Sequence, residues 1–283
     1  GASRGRGDVY KRQPLGNPLR IAEEVASIDH MSHGRFDFGV GRSSIPKFYD
    51  GFNIPYSERT ARFTESLEIV MRAFTQETFS FEGDYYSYHD ISISPQPLQK
   101  PHPPLSVPVI MRDSTGTKIA GQKDYCPFSH HMVANNVLTN HWETYTEGAQ
   151  SAGREPDRQK WKISRNIFVA ETTAEAREKA RNLSLGKCLE FIMKCTDLGP
   201  GRKLWKRDLD MPDSECTLDY LMEEQVIAGD PDDCVRQLLR MMEETGEFGT
   251  LIMTAHDWDD RESWITSLEL FAREVMPLSL IHI

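Results

Sequence analysis

Two periodicities alternate along this chain, one for helices and one for strands. Asn17-Pro18 supplies an N-cap and a first-turn proline, and Leu19, Ala22, Val25, Ala26 and Ile28 follow at helical spacing until Gly34. In the next stretch Phe36, Phe38 and Val40 alternate with Arg35, Asp37 and Gly39, the period of a strand. A second helix is predicted from near Glu58, with Phe63, Leu67, Ile69, Val70 and Phe74 on its apolar side. Residues 79–93 are aromatic and β-branched around Gly83-Asp84, which predicts a hairpin, and 95–104 form a proline-rich connector.

The second half repeats the alternation. Val107 to Met111 is a short apolar run suited to a strand buried on both faces, and a helical stretch starts near Lys118. Strands are then predicted at 126–133 and 162–169, with a helix at 140–151 between them. Glu171-Thr172-Thr173 caps a helix over 174–195, and 197–217 is rich in Gly, Pro and charge, hence a loop. Asp230-Pro231 opens a helix to about Glu244, 249–254 is a strand, and a closing helix carries Trp264, Leu268, Phe271 and Val275. Strands at 35–41, 107–111, 126–133, 162–169 and 249–254, separated by helices, are the pattern of an α/β fold with parallel strands. A closed eight-stranded barrel takes about 250 residues. Five strands and a chain that opens on a helix fit such a barrel with its first three strands missing.

Composition narrows the classes. A formal net charge of −10 leaves no basic face for nucleic acid, and no apolar run is long enough for a membrane span. Five cysteines without a CxxC pair read as reduced thiols of a cytoplasmic protein, and no ligand-spaced His/Asp/Glu set suggests a metal. Residues 1–13 are cation-rich and aperiodic, and 278–283 follow a helix that ends near Met276-Pro277. Both read as non-native or disordered tails around a single domain over 14–277.

Candidate chemistry sits at the strand ends. Gly39 and Gly41 thin the end of the first strand, and Arg42 follows as a permanent cation. Arg42 either forms an ion pair or meets a phosphate. Asp113, Ser114, Thr115, Gly116 and Thr117 form a polar strand-to-helix turn, which is either an anion site or ordinary capping. His130 and His131 close another strand, and Arg165 lies inside the next, in a pocket lining or in an ion pair. The aromatic loop over 43–57 (Phe48, Tyr49, Phe52, Tyr56) walls a substrate or covers core.

The stretch NPLRIAEEVASIDHMSHGRFDFGVGR resembles the bacterial-luciferase-like flavin monooxygenase family. ERTARFTESLEIVMRAFT, FEGDYYSYHDISISPQPLQKPHPPL, FVAETTAEAREKA, IAGDPDDCVRQLL and LELFAREVMP resemble its later motifs, in order, so that the resemblance covers about residues 14–277. It implies a (β/α)8 barrel, a TIM barrel of the luciferase-like type, incomplete here. It also implies reduced FMN as cofactor, delivered by a separate flavin reductase. The implied reaction runs from reduced flavin and oxygen through a flavin C4a-hydroperoxide to oxygenation of a small organic substrate. Arg42 would reach the flavin phosphate beside Gly41, and Asp113 to Thr117 would supply hydroxyls and N–H groups. Relatives commonly place Ser or Thr where this chain has Gly116. The family's catalytic histidine falls in the early strands, upstream of this sequence, which leaves His130 and His131 as the weak local candidates. EFGTLIMTAHDWDD resembles the limonene and alkanal monooxygenase subgroup, pointing to a hydrophobic substrate. The same fold also implies two alternatives: a hydride-transfer enzyme using the deazaflavin coenzyme, and a non-catalytic flavin-binding protein. A homodimer is expected of the intact protein.

Overall fold

The computed structural model describes residues 7–43, 46–197 and 201–279, and for 7–12 the backbone alone. The outermost tail residues, Ser44 and Ile45 of the aromatic loop, and 198–200 of the later loop lie outside the described residues. The chain divides into two compact units, Gly1–Pro108 and Val109–Ile283.

The first unit holds β1 (Gly7–Arg12), α1 (Pro18–Met31), β2 (Phe36–Gly41), α2 (Pro46–Asp50), α3 (Arg59–Thr75), the hairpin β3 (Phe79–Glu82) and β4 (Ser87–Ile91), and β5 (Leu105–Val109), whose last residue opens the second unit. The Asn17 side chain accepts from the N–H groups of Leu19 and Arg20 at 3.0 and 3.3 Å, which starts α1 as expected. α1 stops where Gly34, at φ +71°, donates its N–H to the Asp29 carbonyl. Asp29 is fully buried, and its carboxylate accepts from the Gln99 backbone N–H and side-chain amide, both at 2.8 Å. Gln99 also donates to the Phe36 carbonyl, so this one residue of the proline-rich connector fixes α1 against β2. Phe74 of α3 meets Phe38 edge-on at 6.1 Å.

β2 pairs in parallel with β5 and, on its other side, with β1 from Gly7↔Phe36 to Arg12↔Gly41. It is therefore an interior strand, where the sequence reading makes it the first strand and an edge. Parallel pairing is carried by backbone groups and asks nothing of side-chain periodicity, and GDVYKR shows none. Gln13, also assigned to the tail, is fully buried.

The second unit holds α4 (Thr115–Lys123), β6 (Cys126–Ser129), α5 (Asn135–Ser151), β7 (Lys162–Val169), α6 (Thr173–Asn182), α7 (Ser184–Asp197), α8 (Leu218–Gln225), β8 (Val226–Gly229), α9 (Pro231–Thr245), β9 (Thr250–Met253), α10 (Arg261–Leu270) and α11 (Met276–Ser279). β7 is its organising strand, buried at every position. β6 pairs with its start, β9 with Lys162 to Arg165 and β8 with Asn166 to Val169, all in parallel. Parallel strands joined through helices make each unit α/β.

Three details depart from the expected elements. β8 (Val226–Gly229) is not among the expected strands, because four residues before Asp230 carry no period of their own. The helix over 174–195 is two helices meeting at the extended residue Leu183, with Gly186 pressed so close to the Arg181 carbonyl that a Cβ would overlap it. The closing helix widens to a π turn over Phe271–Val275; Trp264, Phe271 and Val275 are buried, while Leu268 is exposed and Leu270 is buried in its place.

Candidate functional site

At the end of β2, Gly41 donates its N–H to the Gln13 side-chain oxygen at 2.8 Å. A Cβ there would meet only Pro108 at 3.8 Å, so crowding does not require the glycine. Arg42 is exposed, and its guanidinium donates to the Thr60 hydroxyl at 2.8 Å. Its carbonyl accepts from the phenol of Tyr49, which is buried and edge-on to Tyr56 at 5.3 Å. Among the described residues no carboxylate lies within ion-pair reach of Arg42. Tyr49 thus covers core and holds the Arg42 backbone, whereas Phe52 of the same loop stands exposed.

In the second unit, the turn before α4 is fixed from outside. Asp113, at φ +50°, donates its N–H to the Asn140 side-chain oxygen at 3.0 Å, and the Asn140 amide donates back to the Asp113 carboxylate at 2.8 Å. Ser114 holds the N-cap position but makes no side-chain cap. The N–H groups of Thr115, Gly116 and Thr117 have no acceptor inside the helix, whose first bond runs from Lys118 to Ser114. Thr115 and Gly116 are exposed and Thr117 is buried. Of the two open readings, ordinary capping by Ser114 is therefore not what the turn does.

A second group of polar residues gathers past the C-terminal ends of β6 and β9 and beside the middle of β7, and the C-terminal ends are where parallel α/β sheets bind ligands. The Ser164 hydroxyl pairs with that of Thr254 at 2.8 Å, and one step further the Asn166 side-chain oxygen accepts from His256 Nε2 at 3.0 Å. The His130 and His131 rings lie 4.2 Å apart. His130 Nδ1, His131 Nε2 and Asn166 Nδ2 are buried without a partner among the described residues. Arg165 is 1% exposed and carries no ion pair there. Its guanidinium donates to the Asn135 side-chain oxygen at 2.9 Å and to the Ser164 carbonyl at 3.2 Å. The carboxylate partner weighed for Arg165 is thus replaced by neutral acceptors from the start of α5 and from its own strand.

Burial lowers Arg165 to about 10, which leaves it cationic at neutral pH. Desolvation, helped by that cation, lowers His130 to about 4 and pushes His131 well down. His141 of α5 falls to about 3 by burial although it donates to the Ile110 carbonyl, with Arg165 and Arg112 adding to the fall. It closes a relay in which Trp161 donates to the Ser129 hydroxyl and that hydroxyl to His141. Among the described residues no cluster of three His, Cys, Asp or Glu side chains could hold a metal, and no helix is long and apolar enough to cross a membrane. Among the described residues the five cysteines form no disulfide.

Residues 12–247 match the family model of the luciferase-like monooxygenases. The chain belongs to that family. The luciferase-like chain is 28% identical over 286 residues to 2,5-diketocamphane 1,2-monooxygenase 1 of Pseudomonas putida, covering 93% of itself and 77% of that protein. It is 24% identical over 270 residues to limonene 1,2-monooxygenase of Rhodococcus erythropolis, covering 93% and 71%. The solved oxygenating constituent of 3,6-diketocamphane monooxygenase from Pseudomonas putida, a type II Baeyer-Villiger monooxygenase in complex with FMN, superposes with a TM-score of 0.83 at 25% identity. That match covers 96% of this chain and 79% of the other.

Sequence reading of this luciferase-like chain selected Arg42, the 113–117 turn and the His130-His131 pair, but passed over Thr60, Asn140, Asn166 and His256. The available signal was Ser164-Arg165-Asn166, three polar residues in succession inside a strand buried along its length. His256, just past the end of β9, offered a similar strand-end cue.

Proposed function

We propose that the protein is the oxygenating component of a two-component monooxygenase, using reduced FMN from a separate reductase to oxygenate a small hydrophobic organic substrate. The carrying observation is Arg42, a guanidinium at the C-terminal end of a parallel strand with no carboxylate partner among the described residues. In the second unit, taken by itself, the N–H groups of the α4 N-terminus also suit a phosphate. The Asp113 carboxylate is tied to Asn140, so it serves to hold that turn in shape. In this reading Arg42 of the first unit holds the phosphate, and Gly41 leaves room beside it. Bound reduced FMN supplies the reaction with dioxygen, and the protein contributes positioning and a dry surrounding. The parallel strands are read as part of a luciferase-like (β/α)8 barrel, the intact protein as a homodimer, and the reduced thiols as those of a cytoplasmic enzyme. Diketocamphane and limonene, named in its relatives, support a hydrophobic substrate.

Anaerobic titration with reduced FMN and with riboflavin tests the assignment. Arg42→Ala is expected to weaken FMN about tenfold or more, the range of a charge-assisted hydrogen bond, and to leave riboflavin unchanged. Equal losses for both, or no FMN binding by the parent protein, would overturn it. A parallel titration with the deazaflavin coenzyme separates the hydride-transfer alternative, which requires tighter binding of that coenzyme.

A further inference from the structure

We propose that His256 is the proton-accepting residue of the second unit's strand-end site, with Asn166 as its positioning residue. The ligand is an uncharged organic molecule that presents a hydroxyl to His256 Nδ1. For its role in turnover the inference rests on the oxygenase reading; its geometry stands on the second unit alone.

The argument starts from the hydrogen bond between the two side chains. An amide oxygen only accepts, so the 3.0 Å bond to Asn166 places the imidazole proton on Nε2 and leaves the lone pair on Nδ1. Nδ1 has no protein partner among the described residues. The ring is clamped by Trp264, on which it stacks at 5.8 Å and 30°. Trp264 is itself buried and edge-on to Phe168 of β7 at 4.8 Å. Asn166 is fully buried in β7, one residue beyond the segment that pairs with β9, so its amide is rigidly placed.

Charge separates His256 from its neighbours. His130, His131 and His141 lie in the field of buried Arg165, which opposes a second cation at each. His256 is kept neutral by burial, but Asp257 and Asp259 on its own loop favour its protonated form. From β6 it faces His131, which is neutral, and from α10 the indole of Trp264. It is therefore the strand-end histidine that rests neutral and has carboxylates beside it to receive an imidazolium. In the step itself the hydroxyl proton passes to Nδ1 and the O–H electron pair stays on the ligand oxygen. The proton returns as product forms, so no oxidant or reductant is consumed.

The test uses the full chain with 15N-labelled histidine, phenol as the hydroxyl probe, and benzene as the probe without one. In the parent protein the His256 signals should show an unprotonated Nδ1, and phenol should move the Nδ1 resonance while benzene leaves it in place. Asn166→Leu should scramble the tautomer and abolish the phenol shift with the fold retained by circular dichroism. Asn166→Asp keeps the acceptor oxygen, so the proton should stay on Nε2, while its carboxylate should raise the pH at which Nδ1 gains a proton. A proton found on Nδ1, no phenol response up to its solubility limit, or an unchanged response in Asn166→Leu would overturn the proposal. FMN titrated into the same sample keeps the two readings apart. Flavin binding without a phenol shift sinks only this inference, and a phenol shift without flavin binding sinks only the oxygenase reading.

Discussion

Gly116 shows what one residue can decide. It stands in the first turn of α4, where the resemblance leads one to expect a hydroxyl, and its backbone is ordinary enough to accept one. A Cβ there would meet only the Ser114 hydroxyl at 3.5 Å, an ordinary contact. Gly116→Ser should therefore enter without strain and add a donor to the helix N-terminus. If the turn holds the flavin phosphate, FMN affinity should rise about fivefold, the worth of one net hydrogen bond. Thermal stability should rise by a few tenths of a kcal/mol, because serine costs a helix less entropy than glycine. Unchanged FMN affinity with raised stability would place the phosphate elsewhere. The same residue scale explains why the sequence leaves the partner of Arg165 open. A buried arginine ordinarily implies a carboxylate, yet here the acceptors are an asparagine at the start of α5 and a backbone carbonyl, contacts invisible in the local pattern.

At the scale of elements, α4 and α5 bring their backbones together at two glycines. A Cβ on Gly121 would overlap the Tyr145 carbonyl, and one on Gly148 the Lys118 carbonyl. Neither overlap can be relieved by turning a side chain, since the obstacle is backbone in both cases. Gly121→Ala or Gly148→Ala should each destabilise by about 1–3 kcal/mol, as overpacking does, and the double variant should cost less than the sum because one separation of the helices relieves both. Urea denaturation checks this, and additivity would contradict the shared contact. Helices were legible where caps announced them: Asn17, Thr172 and Asp230 all cap as their sequence suggests. β8 and the break at Leu183 were not, because neither shows as a change of period in the sequence. β8 exists by pairing with β7, and the break lets Gly186 sit against the end of α6.

Over the whole molecule, alternation of the two periods carried the fold class, and the ordered motifs carried the family. The site was legible only in its cations and turns, since its neutral polar residues look like core. That neutrality has a consequence for the molecule's response to acid. His130, His131 and His141 all belong to the second unit, and burial holds all three below the ordinary histidine value of about 6.5. In the unfolded chain each takes up a proton as pH falls through about 6.5, whereas in the folded unit His130 waits until about 4 and His141 until about 3. The unfolded state therefore binds more protons across this window, and stability must fall as pH falls. Each such histidine contributes a slope of about 1.4 kcal/mol per pH unit. The second unit should accordingly lose hydrogen-exchange protection between pH 6.5 and 5, ahead of the first. His141→Gln, whose amide can donate toward the Ile110 carbonyl in place of Nε2, should reduce the slope by about one proton even though it lowers stability at neutral pH. Equal loss of protection in both units, or a slope indifferent to His141, would show that the acid response has another source.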